Sequence, residues 1–403
     1  GRPDRPSPSA GLAGVGVAYK LVWALGRSFS GTRQVDEAYR DFMLASLMYV
    51  AMGTVADVVP LVDENRVLVH YGLRAFQATH HVGVRALLAQ GRVEADSVAA
   101  ENIAFRIAPL VNAAGRLGAA ERALELFLSR DDNEAQELAE WLGRANQERK
   151  EIETGMLEAS LEQIQELGMD SADPDHPGRP IVVAGEGWHS GVAGIVAARL
   201  VERFRRPVFV IAINDGLGRG SGRSLDGFPL TALYDAARPL VVSIGGHALA
   251  GGMAIEPDRI DEFRSTLDSV RPYESALAAR AVYDAVLKLE EIEPELMREL
   301  NFLEPHGHAN PMPRFRVDGL RIDGDIRLVG KTEDHVSFLA RQDRRRIRAI
   351  FFRGAERVRE LTSLRNRFSV IAELYLNDFR GTARPELRIV DFGPSPDPLS
   401  PDA

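Results

Sequence analysis

The stretch from residue 181 to 213 restricts the fold of this chain more than any other. An apolar run at 181–184 leads into a glycine-broken segment at 185–191, a helical pattern at 194–204 and a second apolar run at 208–213. Strand, loop, helix and strand in that order predict an α/β fold. Two glycine-rich segments follow. Gly218-Arg219-Gly220-Ser221-Gly222-Arg223-Ser224 reads as a loop, and Gly245-Gly246-His247 as a turn closing a strand at 240–244. Glycine lets backbone N–H groups approach an anion closely, and arginine, serine and histidine add side-chain donors, so a phosphate is the expected guest. With Trp188-His189 they make three donor-rich loops beyond strand ends, where ligands of open α/β sheets collect. Each segment alone fits an ordinary turn or surface connection equally well; their arrangement is what favours a shared site.

Several of these motifs, in this order, resemble a known family. Gly187-Trp188-His189-Ser190-Gly191-Val192 with Gly194-Ile195-Val196-Ala197, the arginine-glycine segment, and Gly245-Gly246-His247-Ala248-Leu249-Ala250-Gly251-Gly252 are similar to the DHHA1 domain of the DHH phosphoesterase superfamily, in the form carried by RecJ-type single-strand exonucleases. That family usually has alanine where Gly251 stands. Upstream, Gly53-Thr54-Val55-Ala56-Asp57-Val58-Val59-Pro60-Leu61 resembles the fourth DHH motif, which implies that Asp57 binds a catalytic divalent metal. Asn112-Ala113-Ala114-Gly115-Arg116 resembles a family segment in which Arg116 would face substrate phosphates and Asn112 would hold the loop. On the residues alone, Asp57 also fits a helix or turn cap, its burial among apolar neighbours being costly without compensation, and Arg116 fits a solvated residue after a helix C-cap at Gly115. Leu110 stands where many relatives carry arginine. His80-His81 follows Asp57 and lacks the leading aspartate, so it is not the superfamily's Asp-His-His motif and is expected to be exposed. His306 and His308, with no acidic cluster beside them, read as loop polarity; the similar RecJ loop has phenylalanine and glycine at His306 and Ala309.

The remaining chain supports a multidomain reading. Gly14-Val15-Gly16 with Lys20 fits neither the dinucleotide nor the Walker spacing, so close helix packing is expected there. Apolar residues at Phe42, Ala45, Leu47, Met48 and Ala51 predict a buried helix over 37–52, stopped by Gly53. Leu138, Leu142, Ala145, Ile152, Met156, Ala159 and Ile164 recur at three- and four-residue steps and predict one helix over 133–167, of roughly 50 Å, started by Ser129 and Asp132 and stopped by Gly168. A helix is also expected within 257–270. Short strands at 315–322, 326–329, 335–341, 346–352, 368–376 and 387–392, with a helix at 355–364, predict an OB fold, which grips single strands in a basic groove. The lead-in at 1–10 is expected to be extended and the tail after Gly393 disordered.

The net charge of −9 argues against bulk coating of duplex DNA, but arginines cluster locally, six between Arg199 and Arg223 and five between Arg341 and Arg348. The absence of cysteine excludes disulfides and thiolate metal sites and makes a reducing cytoplasm the expected home. No apolar run reaches the length of a membrane span. The expected organisation is the remainder of a DHH domain at 1–128, a long connector helix and linker at 129–180, an α/β DHHA1 domain at 181–272, and a connector, β-rich OB fold and tail at 273–403.

By resemblance, the function is 5′-to-3′ single-stranded-DNA exonucleolysis in repair and recombination, by two-metal phosphodiester hydrolysis with Mn²⁺ or Mg²⁺. Asp57 is the expected catalytic metal ligand; Asn112, Arg116, His189, Arg219, Ser221, Arg223, Ser224, Gly245, Gly246 and His247 are the expected phosphate binders. The partners implied are single-stranded DNA, a single-strand-binding protein and a helicase, and no membrane. None of the family's first three metal motifs precedes Asp57, so the chain is expected to be a fragment that binds single strands weakly and does not cut them. A phosphoesterase acting on short oligonucleotides or cyclic dinucleotides, and a non-catalytic replication scaffold on the same fold, are the alternatives.

Overall fold

Residues 11–31, 34–171, 178–270, 282–330, 332–364, 366–377 and 384–396 are described by a computed structural model. The lead-in at 1–10, most of the linker after 172 and the end of the tail from 397 lie outside these residues. The chain divides into two units: Thr79–Ser97 with Ala104–Ala278, and Gly1–Ala78 with Val98–Ile103 and Ala279–Ala403.

The first of these units is built along the helix Asp132–Glu166. Its 35 residues would extend about 52 Å at 1.5 Å per residue. The N-cap is Asp131, whose carboxylate accepts from Glu134 N, while Ser129 donates its hydroxyl to the Glu134 carboxylate. Helices Val82–Gly91, Ala108–Arg116 and Ala120–Leu128 pack against it. Further along, its Met156 and Ile164 enter the core of an α/β sheet. This spine helix thus joins the helical layer to the sheet within this unit.

That sheet holds β1 (Ile181–Glu186), β2 (Val208–Asn214), β3 (Leu217–Arg223), β4 (Ser243–Gly246) and β5 (Ala250–Ile255), in the order β1-β2-β3-β5-β4. Only the β1–β2 pair is parallel, and helix Ser190–Phe204 makes its crossover. Alternate residues of β1 and β2 feed two cores. Ile181, Val183, Val208 and Val210 face the crossover helix and the spine; Val182, Phe209 and Ile211 pack with Leu233 and Phe263 of helices Thr231–Ala237 and Ile260–Ser269. The edge strand β1 is covered by a side chain: Gln163 of the spine donates to Ala184 O at 3.0 Å and accepts from Ala184 N at 2.8 Å.

The segment 218–224 is not a loop, because its glycines recur every second residue and so share one face of β3. A Cβ would fall 2.9 Å from Ile211 Cγ2 at Gly218, 2.7 Å from Met253 Cγ at Gly220, and 2.8 Å from Phe209 Cε1 at Gly222. The strand expected at 240–244 starts only at Ser243, after a 3-10 turn at Arg238–Leu240, and continues through Gly246 to form a hairpin with β5, which the sequence reading missed.

In the other unit, helix Gly14–Ser30 packs on helix Glu37–Ala56, which pairs with Asp63–Ala75. Gly53 does not stop its helix. It lies inside it, where a Cβ would fall 2.9 Å from Val15 Cγ1, so it serves close packing. Phe42, expected in the core, is 55 % exposed, since the buried face runs through Met43, Leu47, Val50, Ala51 and Thr54.

The same unit carries β6 (Ala285–Val286), β7 (Arg314–Val329), β8 (His335–Gln342), β9 (Arg345–Phe351), β10 (Phe368–Asn377) and β11 (Arg384–Pro394). Their order is β10-β11-β9-β8-β7-β6, and β10 also pairs with β7, closing a five-stranded barrel around Val317, Leu320, Val336, Phe338, Phe368, Val370 and Leu387. The two strands expected at 315–322 and 326–329 are one, bent at a register shift between Asp323 and Arg327, where Gly324 takes φ +85°. The tail is ordered further than expected: Gly319 N donates to Ser395 Oγ at 2.7 Å and Arg367 to Pro396 O at 3.2 Å. No described helix is long and apolar enough to cross a membrane.

Candidate phosphate-binding site

The N-terminal turn of helix Ser190–Phe204 is the centre of the site. His189 is its N-cap and accepts from Gly191 N through Nδ1 at 3.2 Å. Arg116, the last residue of helix Ala108–Arg116, donates Nη1 to Gly191 O at 3.1 Å. The approach is close, since a Cβ on Gly191 would lie 2.3 Å from Arg116 O. On the next turn a Cβ on Gly194 would lie 2.8 Å from Arg223 Nη2 and 3.0 Å from Ser221 Oγ. Ser221 and Arg223 come from the face of β3 opposite its glycines, and Arg223 Nη1 donates to Ser221 Oγ at 2.9 Å and Gly222 O at 2.7 Å.

Two guanidiniums and the positive end of a fifteen-residue helix thus converge. Partial burial lowers the pKa of Arg116 first, the cations of Arg149 and Arg223 lower it further, and the Glu153 carboxylate opposes them. Burial also lowers that of Arg223. An anion of two or more oxygens would offset like charges placed this way in a partly desolvated setting.

The other expected phosphate binders are distributed differently. Asn112 is exposed on the helix of Arg116, one turn earlier, and not in a loop; Gly115 continues that helix. Arg219 is exposed on β3, on the same face as Ser221 and Arg223. Ser224 donates its hydroxyl to Phe228 O and its N–H to Leu249 O at 2.9 Å, so its donors are engaged within the turn. Gly245, Gly246 and His247 are exposed at the tip of the β4–β5 hairpin, where His247 N donates to Ala250 O at 2.8 Å.

Asp57 belongs to the other unit. It caps the C-terminus of helix Glu37–Ala56 and is exposed, so the cost of burying a carboxylate does not arise. The turn after it is held by Asn65, which donates to Pro60 O at 3.1 Å, and by Leu61 N on His308 O at 2.7 Å. Among the described residues no three His, Asp or Glu gather closely enough to hold a metal ion, so these residues do not fit a two-metal centre. His80 is exposed as expected, but His81 is half-buried and N-caps helix Val82–Gly91.

Sequence reasoning missed Tyr234. Its hydroxyl is buried without a hydrogen-bond partner among the described residues, and burial pushes its pKa up to about 12. A Cβ on Gly251 would lie 2.0 Å from that hydroxyl oxygen, a contact no local pattern announces. The second basic run is less free than it reads: Arg345, Arg346 and Arg348 pair with Glu293 (3.1 Å), Asp323 (2.5 Å) and Glu386 (3.6 Å).

Comparison with known proteins identifies two of the domains. Residues 178–270 match the DHHA1 domain family and residues 283–391 the RecJ OB domain family. The chain is 32% identical over 396 residues to the single-stranded-DNA-specific exonuclease RecJ of Bacillus subtilis, an alignment covering 97% of this chain and 48% of that protein. It is 31% identical over 409 residues to the protein of the same name from Haemophilus influenzae, covering 96% and 68%. The crystal structure of RecJ in complex with Mn²⁺ from Thermus thermophilus superposes with a TM-score of 0.79 at 32% identity, over 95% of this chain and 53% of that one. The chain spans about half the length of the curated relatives it matches. With an α/β domain of DHHA1 type, a closed OB barrel and this level of identity, the chain belongs to the RecJ family.

Proposed function

We propose that this chain is part of a 5′-to-3′ single-stranded-DNA exonuclease and supplies its strand-holding surface. The observation that carries the proposal is the convergence of Arg116, Ser221 and Arg223 on the N-terminal turn that follows His189. In this role Arg116 and Arg223 hold phosphate oxygens, Ser221 orients Arg223, and the first turn of helix Ser190–Phe204 adds its dipole. Asn112 and Arg219 extend the contact along the backbone, while Gly245, Gly246 and His247 offer exposed donors at the hairpin tip. The OB barrel, taken by itself, is a further surface for single strands. In this reading 1–128 is the remainder of a DHH domain, 129–180 the long helix and linker, 181–272 the DHHA1 domain and 273–403 the OB-fold part.

Asp57 is proposed as one ligand of Mn²⁺ or Mg²⁺. The described residues do not complete such a site, so no hydrolytic step is assigned to them. In the cell the protein would act in the cytoplasm, in DNA repair and recombination, beside a single-strand-binding protein and a helicase.

The test is fluorescence anisotropy of a 3′-labelled, 5′-phosphorylated single strand titrated with the chain over a range of salt. Affinity should fall linearly on a log–log plot, and Arg116→Gln or Arg223→Gln should each weaken it and flatten the slope by about one. Binding indifferent to salt and to both substitutions would refute the proposal.

A further inference from the structure

A buried carboxylate lies beside the arginine site. Glu153, on the spine helix, is 2 % exposed. Its Oε2 is 2.5 Å from Arg149 Nη1, and its Oε1 is 2.5 Å from Arg199 Nε. Arg149 is itself 11 % exposed in its side chain and donates Nε to Asn146 Oδ1 at 3.2 Å. Arg199 lies on helix Ser190–Phe204, two turns beyond Gly191, the residue whose carbonyl takes the Arg116 hydrogen bond. Glu153 therefore ties the spine to the helix whose first turn meets Arg116 on one side and Arg223 on the other.

Arg149 and Arg199 pair with this one carboxylate, whose charge also acts on Arg116. Burying this carboxylate is costly, its cross-helix partner Arg199 staying 49 % exposed, and a hydrophobic contact would join the two helices as well or better. What a carboxylate supplies and a hydrophobic contact does not is negative charge.

We propose that Glu153 is a positioning residue acting as the built-in counter-ion of the arginine site: it holds the cationic cluster together when no phosphate is bound and sets how strongly phosphate is attracted when it arrives. This rests on the phosphate-binding reading above. Burial lowers the pKa of Arg116 and the cations of Arg149 and Arg223 lower it further, while the Glu153 carboxylate raises it, as a counter-ion does. Because Glu153 touches Arg149 and Arg199, while the proposed phosphate contacts are Arg116 and Arg223, the carboxylate and the ligand act on one cluster without occupying one place.

The experiment is thermal unfolding of the chain with inorganic phosphate or chloride at matched ionic strength. Wild type should be stabilised by phosphate beyond chloride. Glu153→Gln, nearly isosteric, should melt lower in chloride yet gain more from phosphate than wild type, with the apparent phosphate dissociation constant reduced roughly three- to tenfold. Arg199→Gln leaves the carboxylate less neutralised and should gain less than wild type. A Glu153→Gln protein that melts lower but gains no more from phosphate makes Glu153 a mere strut and overturns the inference. If that variant does not fold, an Arg199→Gln increment equal to or above the wild-type one does the same. Wild type indifferent to phosphate would overturn the phosphate site itself and the inference with it.

Discussion

Gly251 and Tyr234 show how a single atom can decide what a position accepts. The resemblance suggests alanine at 251, but the Tyr234 hydroxyl occupies the space its Cβ needs. Gly251→Ala should therefore destabilise the protein by about 1–3 kcal/mol through overpacking. Tyr234→Phe, which removes a hydroxyl without a partner among the described residues, should be close to neutral and should restore most of the loss in the double variant. Urea midpoints of the four proteins check this; equal losses in the single Gly251→Ala and the double variant would contradict it.

His306 gives a pH prediction at the same scale. Burial holds its pKa below the ordinary 6.5, Arg66 adds to the effect, and hydrogen bonds with the backbone of Asn310 and Pro311 oppose it. The unfolded chain then binds the proton more tightly, so stability is full above about 6.5 and is lost as pH falls from there toward the folded-state pKa. His306→Phe should flatten that part of the stability profile, measured by denaturation from about pH 7.5 to 5.

At the scale of elements, β3 combines packing and chemistry on its two faces. Gly222→Ala should cost about 1–3 kcal/mol, because its Cβ would meet the buried ring of Phe209, whereas Arg219→Ala on the exposed face should stay within about 0.5 kcal/mol. Chemical denaturation separates the two. The alternation Gly-Arg-Gly-Ser-Gly-Arg was legible as a strand pattern in the sequence, since its period is two. Glycine is depleted in strands, which argues for a loop there, and tertiary packing overrides that preference. The spine helix was legible almost to the residue, expected at 133–167 and found at Asp132–Glu166, because its apolar spacing persists over about seven turns.

For the whole molecule, an acidic chain presents a local arginine cluster and lacks, among its described residues, any group of three potential metal ligands. Incubation with end-labelled single-stranded DNA and Mn²⁺ should leave the strand intact while the anisotropy assay reports salt-dependent binding. Release of mononucleotides would show that this chain assembles a metal site after all.

The amino-acid order alone determined the α/β unit at 181–213, the long helix and the succession of short strands, because each is written in a local period that backbone geometry imposes. Motif resemblance supplied Asp57, Arg116, Ser221, Arg223 and His247 as candidates. Only the tertiary structure decided that Arg116 meets the helix carrying Arg199, that Glu153 lies between Arg149 and Arg199, that Tyr234 fills the space beside Gly251, and that Asp57 is an exposed cap. Such contacts join residues far apart along the chain, or depend on which face of an element is buried, and burial is set by the packing of the whole core.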